Sequence, residues 1–325
     1  MLNAIYESDF LGFSYGFRAG RSQHQALDAL WVALTTRRIE WILDADIQAF
    51  FDSIDHGWMR RFLEHRIGDQ RLLRLIDKWL KAGVWEDGKR VPAQLGTPQG
   101  GVISPLLANV YLHYVFDLWV QQWRRQTAQG QVIVVRYADD NIVGFEHEAQ
   151  AQQFLEALQE RLHKFGLQLH PDKTRLLAFG RRTHQRQKAQ NAKDKTNFDF
   201  LGFTHLMDQN QKGYFTVKRL TIKKRMRATL AAIRERLMKQ RHRSVASVGR
   251  WLKAVMRGYF NYHAVPGNLK RLDGFRSEVC RAWRHALIRR SQKHRLNWQR
   301  FNRLTRRYIP SARLVHPMPY QRFSR

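Results

Sequence analysis

The residues with the clearest chemical capacity are two adjacent acids, Asp139 and Asp140, in the run Arg136-Tyr137-Ala138-Asp139-Asp140-Asn141. A short apolar segment, Val132–Val135, leads in and another, Ile142–Phe145, leads out, which predicts a hairpin with both carboxylates at its tip. Like charges side by side at the end of an apolar hairpin repel each other, and the sequence offers them no obvious internal counter-ion. A divalent cation would relieve that repulsion. A second acid group lies in Leu43-Asp44-Ala45-Asp46-Ile47-Gln48-Ala49-Phe50-Phe51-Asp52, also on a predicted strand. Carboxylates on neighbouring strands can clamp two Mg²⁺ ions about 4 Å apart, an arrangement suited to in-line attack of a 3′-hydroxyl on an α-phosphate. An Asp-Asp pair alone is most often a surface turn; the second acid strand is what weighs against that plainer explanation.

The elements that must carry these acids read as mixed α/β. Trp41–Ile47 and Val132–Tyr137 have the length and β-branched content of buried strands. Helical periodicity covers Gln25–Arg37, Arg60–Trp79, Pro105–Arg125 and Glu148–Phe165, the last stopped by Gly166. Arg181–Thr196 is polar and basic without an apolar period and reads as a loop or linker. Phe198–Val217 reads as a hairpin turning through Asp208–Gly213. Beyond it the period becomes helical: Met226, Leu230, Ile233 and Leu237 form one stripe, and Val248, Leu252, Val255 and Tyr259 a second. After a break at Pro266-Gly267, Leu272, Phe275, Val279 and Trp283 form a third. The stripes are core; only the basic faces outside them are candidates for ligand contact.

Charge is distributed unevenly. Residues 1–180 hold 20 of the 57 Lys+Arg and 21 of the 27 Asp+Glu, a net of −1, while residues 181–325 hold the remaining 37 and 6, a net of +31. A field of that size repels itself unless a polyanion shares it, and Trp, Tyr and Phe interleave with the charges throughout the basic half. Nucleic acid is the expected partner. A single cysteine, Cys280, excludes a disulfide framework and a multi-cysteine zinc site. No signal peptide is evident at the start, and the most apolar 20-residue stretch, Gly101–Val120, is interrupted by Ser104, Pro105, Asn109, His113 and Asp117. A cytoplasmic chain that does not enter the membrane is expected.

Tyr137-Ala138-Asp139-Asp140 resembles the metal-binding motif of reverse transcriptases, and several further stretches resemble the group II intron members in order and spacing. These are Gly16-Phe17-Arg18-Ala19-Gly20-Arg21-Ser22, the Asp46 strand with Phe50-Phe51-Asp52, and Gly96-Thr97-Pro98-Gln99-Gly100-Gly101 running into Ser104-Pro105-Leu106-Leu107-Ala108-Asn109. Gly166-Leu167 with Asp172-Lys173-Thr174, then Phe200-Leu201-Gly202-Phe203, follow in the same order. Gly258-Tyr259-Phe260-Asn261-Tyr262, His316-Pro317 and Arg322-Phe323 resemble that family's thumb, or maturase, region.

The resemblance implies an α+β fold: a reverse-transcriptase palm with partial fingers over residues 1–196, a primer-grip hairpin over 197–217, and an all-α basic thumb/maturase domain over 218–325. It implies that Asp46, Asp139 and Asp140 are catalytic and, with Ile47, hold two Mg²⁺ ions, or Mn²⁺ in their place. Phe51 matches the aromatic gate that favours deoxynucleotides, Gln99 the loop residue against the incoming nucleotide, and Lys173 and Arg21 residues near the triphosphate. Phe200, Leu201, Gly202 and Phe203 match the primer grip. Arg18, Lys218, Arg219, Lys223, Lys224, Arg225, Arg250, Lys253 and Arg257 are the expected RNA contacts. The implied partners are group II intron RNA, an RNA template with a DNA primer, and deoxynucleoside triphosphates.

The implied activity is RNA-directed DNA synthesis, coupled to binding of the intron RNA in splicing and mobility. Two further readings stay open here: an RNA-binding maturase remnant with little polymerase activity, and a retron, diversity-generating or defence-type enzyme. The family usually carries two finger segments before the Gly-Phe-Arg motif, which starts here at residue 16, so an N-terminal truncation is expected. No Cys/His-rich endonuclease region is expected after the thumb. Ala19 replaces the family's usual proline, and Gln48-Ala49 its common Lys-Gly.

Overall fold

A computed structural model describes residues 2–81, 84–86, 89–91, 95–97, 101–192, 195–290 and 296–323. They fall into two compact units, Met1–Thr196 and Asn197–Arg325. Among the described residues no helix is long and apolar enough to cross a membrane.

The first unit runs α1 (Leu2–Tyr6), α2 (Gln23–Thr36), β1 (Trp41–Ala45), α3 (His56–Glu64), α4 (Gln70–Leu80), β2 (Val84–Glu86), β3 (Lys89–Val91), α5 (Ser104–Leu112), α6 (Leu118–Gln126), β4 (Val132–Tyr137), β5 (Asp140–Phe145), α7 (Glu148–His163), β6 (Arg175–Ala178) and α8 (Arg181–Ala189). The central sheet is antiparallel in the order β4-β5-β1-β6, which puts the two acid-bearing strands side by side. α7 packs on β1 and β5, burying Phe154 and Leu158 with Leu43, Val143 and Phe145, while α2 packs against β4.

Three expectations change here. The predicted Arg60–Trp79 helix is two helices, because Gly68 intervenes and the Asp69 side chain accepts from the Arg71 backbone N–H at 2.8 Å to cap a fresh start. Pro105–Arg125 is helical throughout, but five residues, His113–Asp117, widen into a π-helical turn between α5 and α6. Arg181–Ala189, expected to be a loop, is helix α8; the Glu40 carboxylate accepts from the N–H groups of Arg182 (3.1 Å) and Thr183 (3.4 Å) at its start. Its buried residues are Thr183 and His184, so it has no apolar stripe to detect.

The second unit runs β7 (Asn197–Phe200), β8 (Phe203–Gln209), β9 (Phe215–Thr221), α9 (Lys223–Lys239), α10 (Val245–His263), α11 (Leu269–Ile288), α12 (Trp298–Tyr308) and α13 (Pro319–Phe323). The predicted single hairpin is a three-stranded antiparallel sheet, β7-β8-β9. A two-residue turn, Leu201-Gly202, makes the extra hairpin; both residues have positive φ (46° and 83°), as a type I′ turn requires. The three predicted stripes meet in one core centred on Leu252, Phe275, Val279 and Trp283. Buried Asn268 joins sheet to helices: its amide donates to Thr221 Oγ1 at 2.7 Å and to the His263 carbonyl at 2.8 Å. The fold is thus α+β, with a helical C-terminal region.

Candidate active site

The β4–β5 register pairs Tyr137 with Asp140 and leaves Ala138 and Asp139 as a two-residue turn. Ala138 has φ 56°, a left-handed value that an L-residue holds only when its surroundings enforce it. Arg136, two residues earlier and fully buried, supplies the enforcement. Its Nη1 donates to the Ala138 carbonyl at 2.9 Å and to Asn109 Oδ1 at 3.0 Å. Its Nε and Nη2 grip the two carboxylate oxygens of buried Asp117 at 2.7 and 2.5 Å. Asn109 in turn donates to the Gly16 carbonyl at 2.7 Å. Residues beside Gly16 run along the outer edge of β4: Tyr15 N–H donates to the Arg136 carbonyl and Arg136 N–H to the Phe13 carbonyl, both at 2.9 Å. A Cβ on Gly16 would stand 2.3 Å from the Ala138 nitrogen, so only glycine permits this approach.

Across the sheet, Ala45 pairs with Asn141, which places Asp46 just beyond β1 and facing the turn. The Asn141 amide donates to the carbonyls of Ala45 (2.9 Å) and Asp139 (3.1 Å), stitching the two acid-bearing segments together. Burial pushes the Asp139 carboxyl above its ordinary range, and the charge of Asp46 adds to that rise. The second acid group has a counter-ion: Lys173 Nζ lies 3.1 Å from Asp46 Oδ2. Lys173 is held there because the preceding loop is pinned by His170 N–H donating to the Asp46 carbonyl at 2.8 Å. Asp140 opens β5 and is exposed.

Among the described residues no set of three His, Cys, Asp or Glu side chains converges on one point. The facing carboxylates of Asp46 and Asp139 offer hard oxygen donors whose mutual repulsion a divalent cation would offset, a donor chemistry that fits Mg²⁺ or Mn²⁺. The Ile47 side chain is buried hydrocarbon, so only its main-chain carbonyl could join them.

Phe51 lies in a 3-10 turn, Phe50–Asp52, entered through Ala49 at φ 45°. Its ring is half-buried, edge-on to Phe50 at 5.4 Å between centroids. Gly96 and Thr97 dock on this turn: Thr97 N–H donates to the Phe51 carbonyl and Gly96 N–H to the Ile54 carbonyl, both at 2.8 Å. Gln99 lies outside the described residues. Arg21 is exposed, its guanidinium 5.3 Å from the Tyr15 ring centroid. Arg18, expected at RNA or nucleotide, is corrected to a buried brace: it pairs with Glu7 at 2.7 Å and donates to the carbonyls of Leu11 (2.7 Å) and Ser14 (2.8 Å).

In the second unit Phe200 and Phe203 are buried in the core, so the aromatic rings of the Phe-Leu-Gly-Phe hairpin present no gripping surface. At the tip Gly202 is buried and Leu201 half-buried, and both carbonyls are engaged, that of Leu201 accepting from Tyr262 Oη at 2.8 Å and that of Gly202 from the Ile222 N–H at 3.2 Å. Lys223, Lys224, Arg225, Arg250 and Arg257 are exposed and Lys253 is half-buried, as RNA contacts must be. Lys218 is exposed too but ion-paired with Asp208. Arg219 is corrected: it is 1% exposed and lies inside the unit beside His205, where it cannot reach a nucleic acid.

Arg136, Asp117, Asn109 and Gly16 are the site residues that the sequence reasoning passed over as positioning groups. One signal was available. Asp117 and Arg136 each interrupt an otherwise apolar run, and two lone opposite charges in buried segments imply a pair.

The profile of the family described as "Reverse transcriptase (RNA-dependent DNA polymerase)" matches residues 1–205. Over 113 residues the chain is 43% identical to a protein named "Uncharacterized 91 kDa protein in cob intron" from Schizosaccharomyces pombe, covering 35% of this chain and 14% of that protein. Over 124 residues it is 39% identical to Protein YkfC from Escherichia coli, covering 37% and 32%. It is 42% identical over 113 residues to the group II intron-encoded protein LtrA of Lactococcus lactis, covering 35% and 18%. The matched stretch therefore spans no more than 32% of the length of these relatives. The profile takes in both acid-bearing strands and continues into the β7–β8 hairpin, and on that match the chain belongs to the reverse transcriptase (RNA-dependent DNA polymerase) family.

Proposed function

We propose that the chain is an RNA-directed DNA polymerase of the group II intron type, which also binds its intron RNA and so assists splicing and mobility. The observation that carries this reading is the pair Asp46 and Asp139, brought close together at the ends of neighbouring strands, with Asp139 resisting ionisation under burial and the charge of Asp46. Two divalent ions bound by Asp46, Asp139 and Asp140 would supply charge neutralisation at the reacting phosphate and hydroxyl. The chain's own groups position the rest. Phe51 is assigned the role of a steric gate against a ribose 2′-hydroxyl, Lys173 and Arg21 that of meeting the triphosphate, and Gln99 that of contacting the nucleotide. The Phe200–Phe203 hairpin is assigned to the primer, and the exposed cations of α9 and α10 hold RNA by phosphate contact. Asp139→Ala or Asp46→Ala should abolish primer extension on an RNA template while leaving RNA affinity within about twofold. Substantial DNA synthesis by either variant would remove the assignment.

A further inference from the structure

We propose that the groove between α11 and α12, with the cavity it adjoins beside α10, is a binding track for single-stranded RNA. The proposal rests on the reading that the second unit binds RNA, and adds where and in what form.

A cavity of about 730 Å³ lies where the end of α12 meets α10; Lys253, Arg257, Arg276, Arg306, Arg307 and Arg313 line it, and among the described residues no Asp or Glu does. Of the acids on α9 and α11, Glu278 is engaged by Arg234 and Arg281, each at 2.6 Å, and Glu235 by Lys239 at 2.7 Å, while Asp273 of α11 is exposed. Cations gathered without a carboxylate are a standing repulsion that phosphates relieve. A second cavity, about 640 Å³, runs between α11 and α12 and shares Arg276 and Arg306 with the first. The two therefore adjoin at these side chains.

At the far end of the second cavity stands Trp298, 62% exposed, with the Arg284 guanidinium 4.2 Å from its ring centroid. Helix rise puts Trp298 about 12 Å from Arg306 along α12. The track thus offers a stacking surface at one end and a phosphate cluster at the other. That pairing selects single strands, because in a duplex the base faces are already stacked and cannot reach an indole. A free nucleotide would engage one end only. The track is also preformed: a Cβ on Gly249 would stand 2.5 Å from the Tyr308 ring, so α12 sits directly on the α10 backbone.

The test uses the full chain with a labelled oligouridine, an RNA duplex of equal length and free UTP as competitor. Trp298→Ala should weaken oligouridine binding by roughly 5- to 150-fold, the span of one lost base stack, with Trp298→Phe recovering most of it. Arg306→Gln with Arg307→Gln should reduce the slope of log K against log salt for oligouridine by about 1.4, two single-strand phosphate contacts. All three side chains are exposed, so the fold is spared. Unchanged oligouridine affinity in both variants, equal losses for strand and duplex, or UTP competing as well as the oligomer would each overturn the track. Those results would leave RNA binding by the chain intact; a wild-type chain that binds no RNA would overturn both.

Discussion

Asp117 and Arg136 form an ion pair in which neither side chain reaches solvent, and the pair holds the turn that carries Asp139. Asp117→Asn keeps the shape and removes one charge, leaving the guanidinium buried with only neutral acceptors, Asn109 and the Ala138 carbonyl. Breaking a buried pair in this way costs about 3–5 kcal/mol, a large part of the roughly 5–15 kcal/mol that holds a domain folded. With a urea dependence of about 2 kcal/mol per molar, the unfolding midpoint of the first unit should fall by about 1.5–2.5 M. Arg175→Gln is the control. It breaks a half-exposed pair with Asp44 at 3.2 Å, worth less than about 1 kcal/mol and so a shift below about 0.5 M. Adding Arg136→Met to Asp117→Asn should recover part of the loss, since the orphaned charge leaves with its partner. Urea titrations followed by far-ultraviolet circular dichroism read all four proteins. An Asp117→Asn midpoint no lower than that of Arg175→Gln would refute the view that this pair organises the turn.

Phe51→Ala should raise ribonucleotide relative to deoxyribonucleotide incorporation at least several-fold in a primer-extension assay that retains deoxynucleotide activity; an unchanged ratio would return Phe51 to core packing. His205 is fully buried and stacked on Phe198 at 4.8 Å, and burial, with Arg219 adding, lowers its pKa from 6.5 to about 3. The unfolded chain therefore takes up this proton first. Stability from the neutral imidazole is complete above pH 6.5 and is lost as pH falls toward 3, by about 2 kcal/mol at pH 5. His205→Phe should flatten that dependence, and an equal pH slope in the two proteins would count against it.

The central hairpin was legible because its strands are short, β-branched and apolar, and because two acids between such strands have nowhere to go but the tip. The Asp46 strand was legible for the same reason. Turn chemistry hid the β7–β8 hairpin: Leu201 occupies a left-handed position that its residue type does not announce. Helix α8 was hidden because it is anchored by Glu40, 142 residues away from Arg182, rather than by an apolar face. Charge proved a poor guide to facing. Arg18 and Arg219 are as basic as Arg21 and Arg250, yet the first pair is buried and the second exposed. Burial of a charge depends on partners brought from elsewhere in the chain, and composition does not show them.

Lys173 gives the acidic centre a tethered competitor. Its ammonium lies 3.1 Å from Asp46 on a side chain that is 62% exposed, so it can withdraw into water at the cost of little more than a rotamer change. Ions from solution then meet a site whose nearest charge is already answered at a fixed local concentration. A monovalent cation gains little by displacing an equal charge that never diffuses away, whereas a divalent one brings twice the charge to both carboxylates. If the centre holds the divalent ions proposed for it, the contact would sort ions by valence before geometry does; in the structure it compensates Asp46.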